Sequence, residues 1–198
     1  MLQKPLLYVS RITNLGDARY CAGMGVDILG FSIDKENEDF VSPKSYQEMV
    51  GWISGPRRAV EISAGSALNW EQVIEEYKPD LIHITYSMTE NASLPDLPVV
   101  LELTFKELLA HGERFNRLNL NLELVIITDL PETATKKEMM IDPHPVLLYL
   151  EKDISSLEDL LVKTGAAGFA LKGTRELSPG LKDYDHLSKI LEKLDKES

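Results

Sequence analysis

Eight short apolar runs, each followed by a helix-like or capped stretch, constrain this chain more than any single motif. Leu6–Thr13 reads as the first strand, and Asp17–Met24, closed by Gly25, as the first helix. Strands are then expected at Ile28–Ile33, Ala59–Ser63, Leu81–Thr85, Val99–Thr104, Leu122–Thr128, Val146–Leu150 and Gly168–Lys172. Between them, Ser42-Pro43 has the cap-then-proline signature of a helix start, with Tyr46, Met49, Val50 and Ile53 at helical spacing up to Gly55-Pro56. Asn69 caps a helix carrying Trp70, Val73, Ile74 and Tyr77. Further helices are expected at Lys106–Asn116, Ser156–Lys163 and Tyr184–Leu194. The stretch from Met88 to Pro98 is poorly periodic, so its helix is short or missing, and Glu132–Met140 reads as a weak helix between prolines.

Short apolar strands alternating with helices imply a parallel sheet built from right-handed crossovers. Eight units in 198 residues with few insertions favour closure into a compact α/β (β/α)₈ barrel over a doubly wound open sheet. One domain spanning residues 1–198 is the expectation for this length.

Composition narrows the function classes. A net charge of −11, with only short basic clusters such as Arg57-Arg58 and Lys136-Lys137, argues against a nucleic-acid partner. No apolar run approaches the roughly 20 residues that span a bilayer, so no membrane partner is expected. A single cysteine, Cys21, lies inside the first helix as packing and fits a cytoplasmic protein. A monomer or homodimer is expected.

Strand alternation puts an unusually polar set on the inward face: Tyr8 and Ser10, Ser32 and Asp34, Glu61 and Ser63, His83 and Thr85, Glu102 and Thr104, Tyr149 and Glu151, and Lys172. Barrel interiors are normally filled by branched apolar residues, with polar groups gathered at the C-terminal mouth where sites are built. Glu61, His83 and Glu102 fall at similar depth on three consecutive strands. They suit a buried hydrogen-bond network with Lys172 neutralising a glutamate, an acid/base pair, or a divalent metal site. No H-x-H or H-E-x-x-H spacing supports the metal, and no cofactor is expected. Arg11, at the first strand tip, is placed to bind an anion or to pair with a nearby acid. Trp52 and Trp70 read as helix residues packed on the core, and His111, His144 and His186 as solvated.

Two stretches resemble the phosphoribosylanthranilate isomerase family, a small (β/α)₈ enzyme of tryptophan biosynthesis. Ile12-Thr13-Asn14-Leu15-Gly16-Asp17-Ala18, with Gly25-Val26-Asp27-Ile28-Leu29-Gly30-Phe31 and Val41-Ser42-Pro43, is similar to its opening. Glu176-Leu177-Ser178-Pro179-Gly180-Leu181-Lys182-Asp183 is similar to its "E-x-x-P-G-x-K-D" before the last helix. The resemblance implies an intramolecular oxidoreductase-type isomerase: an Amadori rearrangement of a phosphoribosyl amine, with a first-strand cysteine as base and a sixth-strand aspartate as acid. Here serine stands at the base position, as Ser10, and Asp129 reaches the acid position only with a one-residue offset; strict alignment gives Thr128. The family's phosphate-binding Gly-Gly and Ser-Gly turns correspond to Leu150-Glu151-Lys152-Asp153 and Lys172-Gly173-Thr174. Acidic side chains there repel a dianion, although Lys152, Lys172 and Arg175 offset them in part.

Three readings therefore stand. The chain is a relative that has lost the isomerase reaction, as a pseudoenzyme or a binder of a small, anionic ligand at the barrel mouth. Or it is a working isomerase with Ser10 and Asp129 as base and acid. Or it is a different enzyme built on Glu61, His83, Glu102 and Lys172. Candidate ligand contacts are Arg11, Asp34, Thr85, Glu151, Lys172 and Arg175.

Overall fold

The computed structural model describes residues 4–62, 68–89, 94–112, 120–150, 156–173, 176–178, 181–182 and 185–197. Eight parallel strands close into a barrel in chain order: β1 (Leu6–Ser10), β2 (Ile28–Ser32), β3 (Arg57–Ile62), β4 (Leu81–Thr85), β5 (Val99–Thr104), β6 (Leu122–Thr128), β7 (Val146–Tyr149) and β8 (Gly168–Lys172). The ring is completed by β8 pairing with β1 from Leu6↔Gly168 to Ser10↔Lys172. The expected barrel is thus the observed one.

Helices α1 (Leu15–Gly23), α2 (Pro43–Val50), α3 (Trp70–Tyr77), α4 (Phe105–His111), α5 (Lys136–Met139), α6 (Leu157–Thr164) and α7 (Asp185–Glu197) follow the strands. Their starts obey local chemistry. Asn14, Ser42, Asn69 and Ser156 each accept a hydrogen bond from a first-turn amide, and Thr104 forms a reciprocal capping box with Glu107. After β4, the described residues hold one turn of 3₁₀ helix, Tyr86–Met88.

Alternation splits the core in two. Outward residues such as Val9, Phe31, Val60, Ile82, Leu101 and Ile127 pack under the helices. Inward residues Ile28, Ala59, Leu81, Val100, Leu124 and Leu147 plug the lower barrel. The polar inward residues lie above this plug, towards the strand C-termini, because the apolar members of each strand come first in sequence.

Several expectations need correction. Helix α2 stops at Val50 rather than near Gly55, and Trp52 lies beyond it, 72% exposed, instead of packing on the core. Trp70 does pack against it. His111, expected to be solvated, is half-buried and stacks on Tyr86 with ring centroids 5.2 Å apart. An antiparallel hairpin, β9 (Glu176–Ser178) and β10 (Leu181–Lys182), precedes α7 where no strands were expected. Ser63, Glu151, Lys152, Asp153, Thr174 and Arg175 lie outside the described residues, as does the side chain of His186.

Candidate functional site at the barrel mouth

A cavity of about 210 Å³ opens at the C-terminal end of the barrel, lined by Ser10, Arg11, Ser32, Asn37, Glu61, Ile62, His83, Thr85, Glu102, Thr128 and Tyr149. The strands fix this set through their register. Glu61 pairs laterally with His83 and Ser32, and Thr85 with Glu102, so successive strands present polar residues at one level.

Three of these side chains, Glu61, His83 and Glu102, make a continuous chain of contacts with Tyr8 beneath them. The Tyr8 hydroxyl, fully buried on β1, lies 2.8 Å from Glu61 Oε1 and 2.8 Å from His83 Nδ1. The other imidazole nitrogen, Nε2, lies 3.2 Å from Glu102 Oε2. Donor counting fixes the protons. A carboxylate only accepts, so the single Tyr8 hydrogen goes to Glu61 and the Tyr8 oxygen accepts from His83 Nδ1–H. His83 Nε2 faces a second carboxylate and must also carry hydrogen. With both nitrogens protonated, His83 is an imidazolium held between two glutamates.

The electrostatics agree. Burial pushes the imidazolium towards its neutral form, but hydrogen bonds to Glu102 and Glu61 and the charges of both outweigh it, raising the His83 pKa from 6.5 to about 9. Burial also acts on Glu102, yet the His83 hydrogen bond and charge, with a smaller contribution from Arg11, hold its carboxyl below the usual range. Tyr8 is pushed well above 10 by burial and by Glu61, so it remains a neutral donor. Glu61 has both oxygens engaged: Oε1 with Tyr8, and Oε2 with the backbone N–H of Arg11 at 3.1 Å. Because both nitrogens of His83 carry hydrogen, a metal could bind the ring only by displacing a proton.

Gly30 makes room for this arrangement. A β-carbon there would sit 1.9 Å from Glu61 Oε1 and 2.4 Å from Tyr8 Oη. Gly30→Ala is expected to lower stability by about 2 kcal/mol, since neither side chain can retreat without breaking its hydrogen bond. Urea denaturation checks this, and an unchanged midpoint would mean that the pair yields freely.

A second cluster forms beside the first. Arg11 Nη1 lies 3.6 Å from Asp39 Oδ2, and Lys172 Nζ lies 3.7 Å from the same oxygen. Asp39, in the loop after β2, is buried and was missed in the sequence because nothing periodic marks a loop residue. Lys172 thus pairs with Asp39. Arg11 itself takes a left-handed backbone, φ 56°, which turns the chain out of β1 while its N–H reaches Glu61.

The positions that the resemblance singled out fall differently. Ser10 lines the cavity, but its hydroxyl donates to the Leu171 carbonyl at 3.1 Å. Asp129 is not among the lining residues. Its left-handed backbone, φ 50°, swings the carboxylate to the start of α4, where Oδ1 accepts the Phe105 N–H at 2.8 Å, and Thr128 faces the cavity instead. Asp34 also stays out of the lining; its Oδ1 accepts the Glu36 N–H in the loop after β2. Thr85 lines the cavity, with its hydroxyl 3.0 Å from that of Ser87. After β8, the Gly173 N–H is engaged by the Ser10 carbonyl at 2.7 Å.

No known family model matches the chain, and no curated protein does. Solved structures do match over the whole length. A phosphoribosylanthranilate isomerase from Thermus thermophilus aligns with 98% of this chain and 100% of its own at a TM-score of 0.72 and 16% identity. The enzyme from Thermotoga maritima aligns with 98% and 100% at a TM-score of 0.67 and 16% identity. The N-(5'-phosphoribosyl)anthranilate isomerase from Pyrococcus furiosus aligns with 97% and 99% at a TM-score of 0.67 and 11% identity. From end to end, this chain has the barrel fold of the solved phosphoribosylanthranilate isomerases.

Proposed function

We propose that this protein is a diverged relative of the phosphoribosylanthranilate isomerases that has lost the isomerase reaction and uses its barrel mouth to bind a small polar molecule bearing an acidic group. One observation carries this reading. The Ser10 hydroxyl, at the position of the expected base, donates to a backbone carbonyl, and the Asp129 carboxylate is turned to a helix start. A serine hydroxyl becomes a base or nucleophile only when a neighbour first takes its proton. Here its proton is committed to an oxygen that cannot carry it away. The Gly173 amide and the Lys172 ammonium, beside which a phosphate would have to sit, are engaged by Ser10 and Asp39. What remains is a polar cavity with a guanidinium at its rim.

Steady-state assay with phosphoribosylanthranilate tests the loss of activity. Turnover is expected to stay at the rate without protein, and restoring a base with Ser10→Cys alone is expected not to rescue it, because the acid position still presents Thr128. Turnover by the native chain that disappears in Asp129→Asn would overturn the reading.

A further inference from the structure

Among the described residues, the ion pairs of the mouth fall into two groups. On one side two cations, Arg11 and Lys172, share one carboxylate, Asp39. On the other, one imidazolium, His83, lies between two carboxylates, Glu61 and Glu102. The cavity-facing members of the two groups are Arg11, with its side chain 41% exposed, and Glu102, 32% exposed; Glu61 is only 11% exposed and both of its oxygens are taken. Arg11 and Glu102 line the same cavity, yet the ion pair of Arg11 is with Asp39 and that of Glu102 with His83, not with each other.

We infer that the mouth takes a small zwitterion, an amino-acid-like molecule whose carboxylate meets Arg11 and whose ammonium meets Glu102. This rests on the proposal that the mouth is a ligand site and names the class of its ligand. A lone anion would leave Glu102 facing it across the cavity, and a lone cation would face Arg11; both meet like charge in a partly desolvated space. A zwitterion satisfies both ends with charge-assisted hydrogen bonds, and the hydroxyls of Thr85 and Thr128 line the space between strands β4 and β6 for its polar substituents. The guanidinium fork suits a planar carboxylate, and Glu102, kept ionised by His83, suits an ammonium.

Isothermal titration with a graded panel tests this: the ω-amino acids from glycine to δ-aminovalerate, each beside the monocarboxylate and the alkylamine of the same chain length. At least one zwitterion is expected to bind about tenfold or more tightly than both of its single-charge counterparts. Glu102→Gln is expected to erase the preference for the zwitterion over the matching carboxylate. Arg11→Asn, which tolerates the left-handed backbone, is expected to erase the preference over the matching amine. The panel on the native protein needs no variant to fold. Monocarboxylates binding as tightly as the zwitterions would overturn the inference while leaving a ligand site for anions. Absence of binding by every zwitterion would overturn it as well. Isomerase turnover, assayed separately, bears on the loss of the parent reaction and not on the ligand class.

Discussion

Replacing His83 with leucine is expected to destabilise the protein by about 3 kcal/mol near pH 6, because it strands two carboxylates in the barrel with no opposite charge. The size follows from the titration of the group. A rise in pKa from 6.5 to about 9 corresponds to about 3 kcal/mol of preferential stabilisation of the imidazolium in the folded state. The sign is fixed by the direction. A group whose folded pKa is raised contributes stability that is complete below its unfolded pKa and is lost as pH climbs through the folded one. The native protein is therefore expected to lose about 3 kcal/mol between pH 6.5 and pH values above 9, with the loss absent in His83→Leu. Glu102 works in the other direction. Its lowered pKa contributes stability present above 4.5, its ordinary value, and lost as pH falls through the folded value. Stability from this network should be greatest between about pH 4.5 and 6.5. Urea denaturation from below pH 4.5 to above pH 9 measures both. A native protein whose stability is flat from pH 6.5 to 9 would remove the imidazolium from the picture.

The second large effect is expected where the barrel closes. Gly168 opens β8 opposite Leu6, and a β-carbon there would lie 1.9 Å from the Leu6 carbonyl oxygen and 2.5 Å from its nitrogen. Both are backbone atoms, so relief cannot come even at the cost of a side-chain hydrogen bond, as it could at Gly30. Relief requires β1 to move away from β8, and that breaks the ladder from Leu6↔Gly168 to Ser10↔Lys172 which completes the ring. Gly168→Ala is expected to cost at least about 3 kcal/mol, at the upper end of overpacking effects, and to lower the yield of folded protein. Because Ser10 and Lys172 are the last pair of that ladder, surviving protein should also show a disturbed mouth. Denaturant midpoints compared with those of Gly165→Ala, a helix-end glycine facing the flexible Lys136 side chain, would show whether the seam is the sensitive place. Equal loss in the two variants would contradict it.

Much of this was legible in the sequence, for a physical reason. A strand has a side-chain period of two, so once the buried face of β3, β4 and β5 is known, Glu61, His83 and Glu102 are committed to one side, with Glu61 level with His83 and Glu102 level with Thr85. Ser10, Thr85 and Tyr149 followed in the same way and do line the cavity. Where the chain leaves a strand, the period no longer applies. Asp129 is one residue past β6, and a left-handed backbone decided its direction. Asp39, the acid that Arg11 and Lys172 share, comes from a loop whose path no alternation specifies. Trp52 followed the helical spacing of α2 on paper, but the helix stopped two residues before it. The donor count that makes His83 an imidazolium needed the Tyr8 hydroxyl to lie between two acceptor-capable atoms, a fact of three strands at once.

The mouth is organised around a charged histidine held between two glutamates. Long-range proton–nitrogen NMR of the His83 ring at pH 7.5 tests it directly. Both ring nitrogens are expected at imidazolium shifts, with titration only near pH 9 and with Glu102→Gln moving that midpoint down. A ring showing one protonated and one bare nitrogen at pH 7.5, titrating at its ordinary 6.5, would contradict that charge state.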